Sequence, residues 1–387
     1  MIHLTTPFLA RSLATAAVSA AAASFFVWMD CNPSLYCYDK FLGDTRRRSF
    51  VENKCFWIIG ASSGIGEELA YQIASSCGPT SDSNSVRLIL SSRSVDKLQR
   101  VAQNCQKRNP NCQVHVVPVD VTDTSSLESA VVSVASQTPI DVVVLNAGRG
   151  QLAPALETDA ETIQQIVQQT AVWPMILTPL LFRYDIFRPT TFGQRPHLVV
   201  TSSTASLVPL PLSASYAASK HAINAYFRSL QAEINGKDSS AIRVDLVCPG
   251  PVDTDFHSNS NGALNKYQAT NEVVRAGDNQ GRLSSHRTKK QMKMSVGRCA
   301  QLMLTTMGWY SRGGRETWIS PQPSLAFLYL HYLMPEWMSR SIIQAFGTKR
   351  LALWRKGLDL YDPESWRTNL YGKETKPVNG QDSSSQS

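Results

Sequence analysis

Past residue 50 the chain alternates short, β-branched apolar runs with longer stretches of helical period. The runs fall at residues 56–59, 87–90, 114–119, 142–145, 198–201 and 244–247, each separated from the next by enough chain for a helix. They show little polar alternation, as strands buried on both faces require. A strand, helix, strand rhythm with continuous apolar strands predicts an α/β fold: a doubly wound parallel sheet with helices on both faces. Residues 75–85 and 257–293 are polar without a strong period and read as surface loops. Residues 373–387 are polar and rich in Ser and Gln, the composition of a disordered tail.

The first fifty residues follow a different pattern. Residues 1–29 contain no acidic side chain, and residues 13–29 form an uncharged, Ala-rich apolar run ending in Phe25, Phe26 and Trp28. Its length is at the lower limit for a membrane span, which takes about 17 to 25 residues. A cleaved signal sequence, or an organellar transit peptide with Arg11 as its lone cation, fits the same composition. A retained N-terminal membrane anchor is favoured here, because Trp28 suits the interface and Arg46, Arg47 and Arg48 follow within reach of the span end. The positive-inside rule then leaves the rest of the chain cytosolic. The expected organisation is 1–50 anchor and linker, 51–325 a single α/β domain, 326–372 an aromatic-rich extension and 373–387 tail.

Composition narrows the function classes. With 387 residues, 43% hydrophobic and 18% charged, the chain can bury one large core with appendages. Its net charge of +8 is scattered, clustering only at Arg46 to Arg48 and at residues 286–293. No basic stripe interleaved with aromatics supports a nucleic-acid partner. Eight cysteines include no Cys-x-x-Cys pair and no Cys/His cluster, so no metal site is expected. Cys31 and Cys37 would pair only in an oxidising lumen; unpaired thiols are the plainer reading.

The first chemical motif follows the first strand: Gly60-Ala61-Ser62-Ser63-Gly64-Ile65-Gly66, then a helical stretch. Glycines there permit a tight turn and close backbone approach to a pyrophosphate, while the helix N-terminus presents free N–H groups to the anion. The second strand run ends Leu90-Ser91-Ser92-Arg93, with no carboxylate for a ribose 2′-hydroxyl. Arg93 is placed to pair with a 2′-phosphate, which favours NADP(H) over NAD(H); a solvated Arg starting a helix is the competing reading.

Tyr216 and Lys220 lie one turn apart in the helical stretch 215–230, and so project from one face. Ser203 precedes them, just past the strand 198–201. A phenol titrates near 10, so proton transfer near neutrality needs a neighbouring cation, the part expected of Lys220. These residue types fit proton donation to a carbonyl oxygen.

Taken together, Gly60-x-x-x-Gly64-Ile65-Gly66, Asp120-Val121, Asn146-Ala147-Gly148, Ser203, Tyr216-x-x-x-Lys220 and Pro249-Gly250-Pro251 resemble the short-chain dehydrogenase/reductase superfamily over about residues 54–320. The resemblance implies a Rossmann-type domain with Ser203, Tyr216 and Lys220 catalytic. It also implies a cofactor site drawn from Gly60, Ser62, Ser63, Gly64, Ile65, Gly66, Arg93, Asp120, Val121, Asn146, Ala147, Gly148, Tyr216, Lys220, Pro249, Gly250, Val252 and Thr254. Asp120 and Val121 would flank the adenine, Asn146 to Gly148 support the central strand, and Lys220 hold the nicotinamide ribose. Within the superfamily the chain is similar to the dehydrogenase/reductase member 7 group, above all at Thr317-Trp318-Ile319-Ser320-Pro321-Gln322-Pro323 and the aromatic run to Trp337. That similarity implies an NADP(H)-dependent enzyme of the endoplasmic-reticulum membrane acting on a lipophilic ketone such as a steroid or retinoid. Its expected partners are that small molecule, membrane lipid and, as a further option, a second copy in a homodimer. A keto-sphingoid reductase and a lapsed NADP(H)-binding regulatory protein are the alternatives. Two departures stand out: residues 182–195 are lengthened, and Thr170 stands where the family has a catalytic Asn.

Overall fold

A computed structural model describes residues 26–76, 86–136, 139–187, 195–235, 242–256, 292–309, 314–358, 360–363 and 365–366. The run at 13–29 lies almost wholly outside the described residues, as do residues 257–291 and the tail. Seven strands form one sheet in the order β3-β2-β1-β4-β5-β6-β7. They are β1 Cys55–Ile59, β2 Arg87–Ser91, β3 Gln113–Val116, β4 Val142–Leu145, β5 His197–Thr201, β6 Arg243–Pro249 and β7 Glu316–Ile319. Every pairing is parallel. The order reverses at β1 and β4, the doubly wound arrangement whose crevice at the strands' carboxyl ends takes the ligand.

Alternation along each strand divides the core in two. Phe56 and Ile58 point to the side covered by helices Gly64–Ser76, Val95–Arg108 and Val296–Gly308, through Leu69, Leu98, Val101 and Leu302. Trp57 and Ile59 point to the other side, covered by Thr124–Ala135, Trp173–Arg183 and Ala214–Asn235 through Val131, Leu181 and Phe227.

Two strand expectations change. The strand within the run 114–119 ends at Val116, although Val117 N–H and Val119 N–H, on either side of Pro118, still donate to Leu90 O at 3.0 Å and Ser92 O at 3.1 Å. The edge strand β7 has no counterpart among the apolar runs, since Glu316 and Trp318 stay half-exposed and only Thr317 and Ile319 are buried.

The segment before β1 is not a loose connection. Residues 30–32 lie along β7: Ser320 N–H donates to Asp30 O at 2.9 Å, Asn32 N–H to Trp318 O at 3.0 Å, and Cys31 makes an antiparallel bridge with Ile319. Helix Pro33–Val51 then packs on helix Val296–Gly308. Its contact face carries charge, with Arg298 gripping Asp30 at 2.7 Å and Asp39 at 2.6 Å, and Arg47 reaching Asp39 at 2.5 Å and Thr305 at 2.6 Å. Burial would raise the Asp39 carboxyl, but hydrogen bonds from Arg298 and Thr305 and the charges of Arg298 and Arg47 outweigh it and hold it below its ordinary range. Arg47, expected beside the membrane, is therefore spent inside the protein. Among the described residues no helix is long and apolar enough to cross a membrane.

Candidate active site

The Gly-rich turn sits at the carboxyl end of β1, and its glycines answer to contacts. Gly60 has φ +93°, and a Cβ there would lie 2.5 Å from the Ala147 nitrogen; one on Gly66 would lie 2.2 Å from Gly60 O. The Asn146 side chain donates to Gly60 O at 3.0 Å. Asn146 and Ala147 at the end of β4 thus lock the turn in place, so the N-terminus of helix Gly64–Ser76 opens at the crevice. Ser62 and Ser63 line the turn's outer side, and Ile65 packs into the core beneath it. Thr254 closes the far side, with Cγ2 3.4 Å from where a Cβ on Gly64 would stand.

Arg93 is exposed at the end of β2 and makes no ion pair among the described residues, while the adjacent Ser92 Oγ is buried without a partner. Burial and the charge of Arg93 both depress Arg149, so the two guanidinium groups share one field. A Gly cradle at a helix N-terminus beside two cations suits a dinucleotide phosphate chain. Asp120 is occupied locally, accepting from Thr122 N–H at 2.9 Å and Oγ1 at 2.8 Å, while Val121 packs against the core.

The three reactive side chains converge beside that cradle. Tyr216 opens helix Ala214–Asn235 and Lys220 stands one turn on, with Nζ 5.8 Å from the phenol ring centre and donating to Thr201 O at 2.8 Å. A Cβ on Gly148 would stand 3.8 Å from that Nζ. Ser203 donates to Pro249 O at 3.3 Å and accepts from Ala205 N–H at 3.1 Å, while its hydroxyl reaches the Tyr216 phenol. Beneath it Ser202, Ser206 and Asn224 form a buried hydrogen-bonded group. Past β6, Gly250 is required because a Cβ would meet Ser320 Oγ at 2.2 Å, and Val252 bridges to Met294.

Electrostatics depart from the expectation that Lys220 lowers the tyrosine. Burial pushes the Tyr216 phenol up to about 12, only partly offset by the Ser203 hydrogen bond. Burial likewise pushes Lys220 down to about 8. Each group resists the charge it would carry alone, so the phenol is held protonated at neutral pH.

Thr170 sits in a π-helical turn, Gln168–Val172, just ahead of Pro174. Its fully buried hydroxyl accepts from Arg149 N–H at 3.2 Å and donates to Arg149 O at 3.1 Å. One hydroxyl thus serves both as acceptor and donor.

Several contributors were not legible in sequence. Gln151, fully buried, caps the catalytic helix by accepting from Ser215 N–H at 2.9 Å and Tyr216 N–H at 3.4 Å. No local pattern marks it, since it reaches the helix from far along the chain. Phe256 stands edge-on to Tyr216 with ring centres 5.6 Å apart. The C-terminal extension also enters: helix Gln344–Arg355 brings Gly347 against Pro211 and Leu353 and Trp354 against Leu212, while Tyr361, whose carbonyl accepts from Met292 N–H at 3.3 Å, opposes the ionisation of Tyr216.

The profile of the family described as short chain dehydrogenase matches residues 54–265. Human dehydrogenase/reductase SDR family member 7 is 34% identical over 307 residues, covering 78% of this chain and 80% of that protein. Bovine dehydrogenase/reductase SDR family member 7B is 29% identical over 250 residues, covering 63% and 72%. Among solved structures, a Thermococcus sibiricus alcohol dehydrogenase complexed with 5-hydroxy-NADP superposes with TM-score 0.52 at 22% identity, covering 70% of this chain and 97% of that one. A Burkholderia phymatum short-chain dehydrogenase/reductase in complex with NAD gives TM-score 0.55 at 19% identity, covering 74% and 95%.

Proposed function

The chain belongs to the short-chain dehydrogenase/reductase family, and from that premise we propose that it reduces lipophilic carbonyl compounds with NADPH. One observation carries the chemistry: Tyr216 is buried beside the Ser203 hydroxyl and held protonated by burial, so it is placed to give a proton to a carbonyl oxygen, while the NADP(H) ratio sets the direction. Reduction needs a protonated phenol; oxidation would need its conjugate base.

The residues fit the cofactor. The turn Gly60 to Gly66 and the N–H groups of its helix would hold the pyrophosphate, Arg93 the 2′-phosphate, and Lys220 with Val252 and Thr254 the nicotinamide end. When bound, the cofactor supplies a hydride to the carbonyl carbon. Ser203 and Tyr216 then hold the carbonyl oxygen, and the phenol hands it a proton. Lys220, charged below about pH 8, steadies the phenolate left behind. Thr170 keeps the Gly148–Arg149 backbone beside Lys220, and Gln151 fixes where Tyr216 leaves its helix.

A membrane setting belongs to the same proposal. Val27, Trp28, Tyr332, Leu333, Met334 and Trp337 are exposed, and Phe26 meets Tyr329 at 5.8 Å, so the exit of the apolar N-terminal run adjoins an apolar surface of the extension. Large exposed aromatics beside such a run suit a lipid surface, in keeping with the endoplasmic-reticulum reading. NADPH oxidation by detergent-solubilised protein, run against ketosteroids, retinal and long-chain keto-lipids side by side, tests the reaction. Consumption with a lipophilic carbonyl supports it; cofactor binding without turnover on any of them favours a lapsed enzyme.

A further inference from the structure

The C-terminal extension carries a charge that the reaction described above does not use. Arg350 lies in helix Gln344–Arg355 and is 3% exposed. No carboxylate pairs with it among the described residues. Its Nε is buried without a hydrogen-bond partner, and its Nη2 has only the Tyr361 hydroxyl, at 3.5 Å. A buried guanidinium with no counter-ion among the described residues is costly, and an anion arriving with a ligand would offset that cost.

Its surroundings say what kind of ligand. Tyr361, whose ring centre is 5.5 Å from the guanidinium, is also near enough to Tyr216 to oppose its ionisation. Lys293, paired with Asp253 at 3.7 Å, stands 5.0 Å from the same ring. Leu212, just ahead of the helix that carries Tyr216, packs with Leu353 and Trp354 of the Arg350 helix and with Leu360 as a buried apolar wall. Nε and Nη2 form the edge of a guanidinium that binds a carboxylate through two parallel hydrogen bonds.

We propose that Arg350 anchors an oxyanion of the substrate, and that the carbonyl compounds reduced here are lipophilic acids with an apolar body between the carbonyl and the anionic group. This rests on the carbonyl-reductase reading of Ser203, Tyr216 and Lys220. The apolar wall takes the body, Arg350 the anion, and Tyr216 the carbonyl oxygen. Arg350 acts on binding and not on proton transfer.

The test uses full-length protein, NADPH, a long-chain ω-oxo fatty acid and its methyl ester, which share one aldehyde. Wild type should favour the acid in kcat/KM by about ten- to hundredfold, the range expected of a charged hydrogen-bonded contact. Arg350→Met should erase that preference while leaving the ester's kcat/KM within about twofold, and Arg350→Lys should restore part of it. In parallel, thermal shifts of NADPH-loaded protein with lauric acid and lauryl alcohol read binding without chemistry, with stabilisation by the acid expected only where Arg350 is present. Equal treatment of acid and ester by wild type, with no laurate preference, overturns the anion site and leaves the reductase reading standing. Arg350-dependent laurate binding without NADPH consumption by either aldehyde or by the ketosteroids, retinal and keto-lipids supports the site and removes the reductase reading. A laurate preference that survives in Arg350→Met places the anion elsewhere and refutes the proposal.

Discussion

Replacing Thr170 with Val removes one hydroxyl and strands two backbone groups of Arg149. The hydroxyl accepts from Arg149 N–H at 3.2 Å and donates to Arg149 O at 3.1 Å, at a fully buried position. Val keeps the volume, so no cavity opens and the loss is polar. A buried donor or acceptor left unpaired costs about 1 to 3 kcal/mol, so two of them, with some relaxation of the loop, cost about 2 to 4 kcal/mol. For a domain of this size that lowers Tm by roughly 5 to 10 °C. Gly148 adjoins Arg149 and faces the Lys220 ammonium, so kcat/KM should also fall, by about tenfold. Urea unfolding with linear extrapolation, beside steady-state reduction of one carbonyl, measures both. Thr170→Ser keeps the hydroxyl and should retain most of each, and Thr170→Asn, which restores the family residue, should leave kcat similar or raise it by up to about tenfold. A Thr170→Val protein within about 0.5 kcal/mol of wild type and equally active would refute the clamp.

Further outcomes follow from other parts of the site. Arg93→Ala should raise KM for NADPH far more than for NADH, because only the former carries a 2′-phosphate; equal effects in steady-state assays with both cofactors would remove Arg93 from that role. Burial pushes Lys220 down to about 8 from 10.5, so below pH 8 its charge destabilises the cofactor-free fold, and that penalty disappears as pH rises from 8 to 10.5. Lys220→Met should therefore be more stable than wild type at pH 7, by on the order of 3 kcal/mol before the lost hydrogen bond to Thr201 is counted, and the difference should shrink towards pH 10.5; a difference flat with pH in denaturation profiles would contradict it. Truncating residues 1–25 should move the protein from a carbonate-resistant pellet to the soluble or peripheral fraction. A cut at residue 30 would also remove Asp30, which holds Arg298, so a soluble full-length protein starting beyond residue 25 is the result that would show a cleaved signal instead.

The strands that build the crevice were legible because burial on both faces demands continuous apolar runs, and the glycine turn because a tight approach leaves few residue choices. What escaped reading has physical causes. Helix Pro33–Val51 buries Asp39 and Arg47 in ion pairs, so an apolar period could not announce it. β7 is a short edge with two buried positions. Gln151 caps a helix far from it in sequence, and Tyr361 comes near Tyr216 only through tertiary packing. Residue spacing suggests that Lys220 lowers Tyr216, whereas burial, which spacing does not show, raises the phenol and lowers the ammonium. Thr170 departs from the family's Asn, and its hydroxyl is taken up by both bonds to Arg149, a contact between distant segments that no local pattern marks.

The most direct test of the account is Tyr216→Phe, assayed for NADPH oxidation with whichever carbonyl the wild type reduces and for NADPH binding by fluorescence titration. In the proposed reaction the phenol donates the proton, while the Gly60 to Gly66 turn and Arg93 would hold the cofactor's phosphates, so turnover should vanish and Kd for NADPH should stay nearly unchanged. Retention of most of kcat in Tyr216→Phe would contradict the assignment.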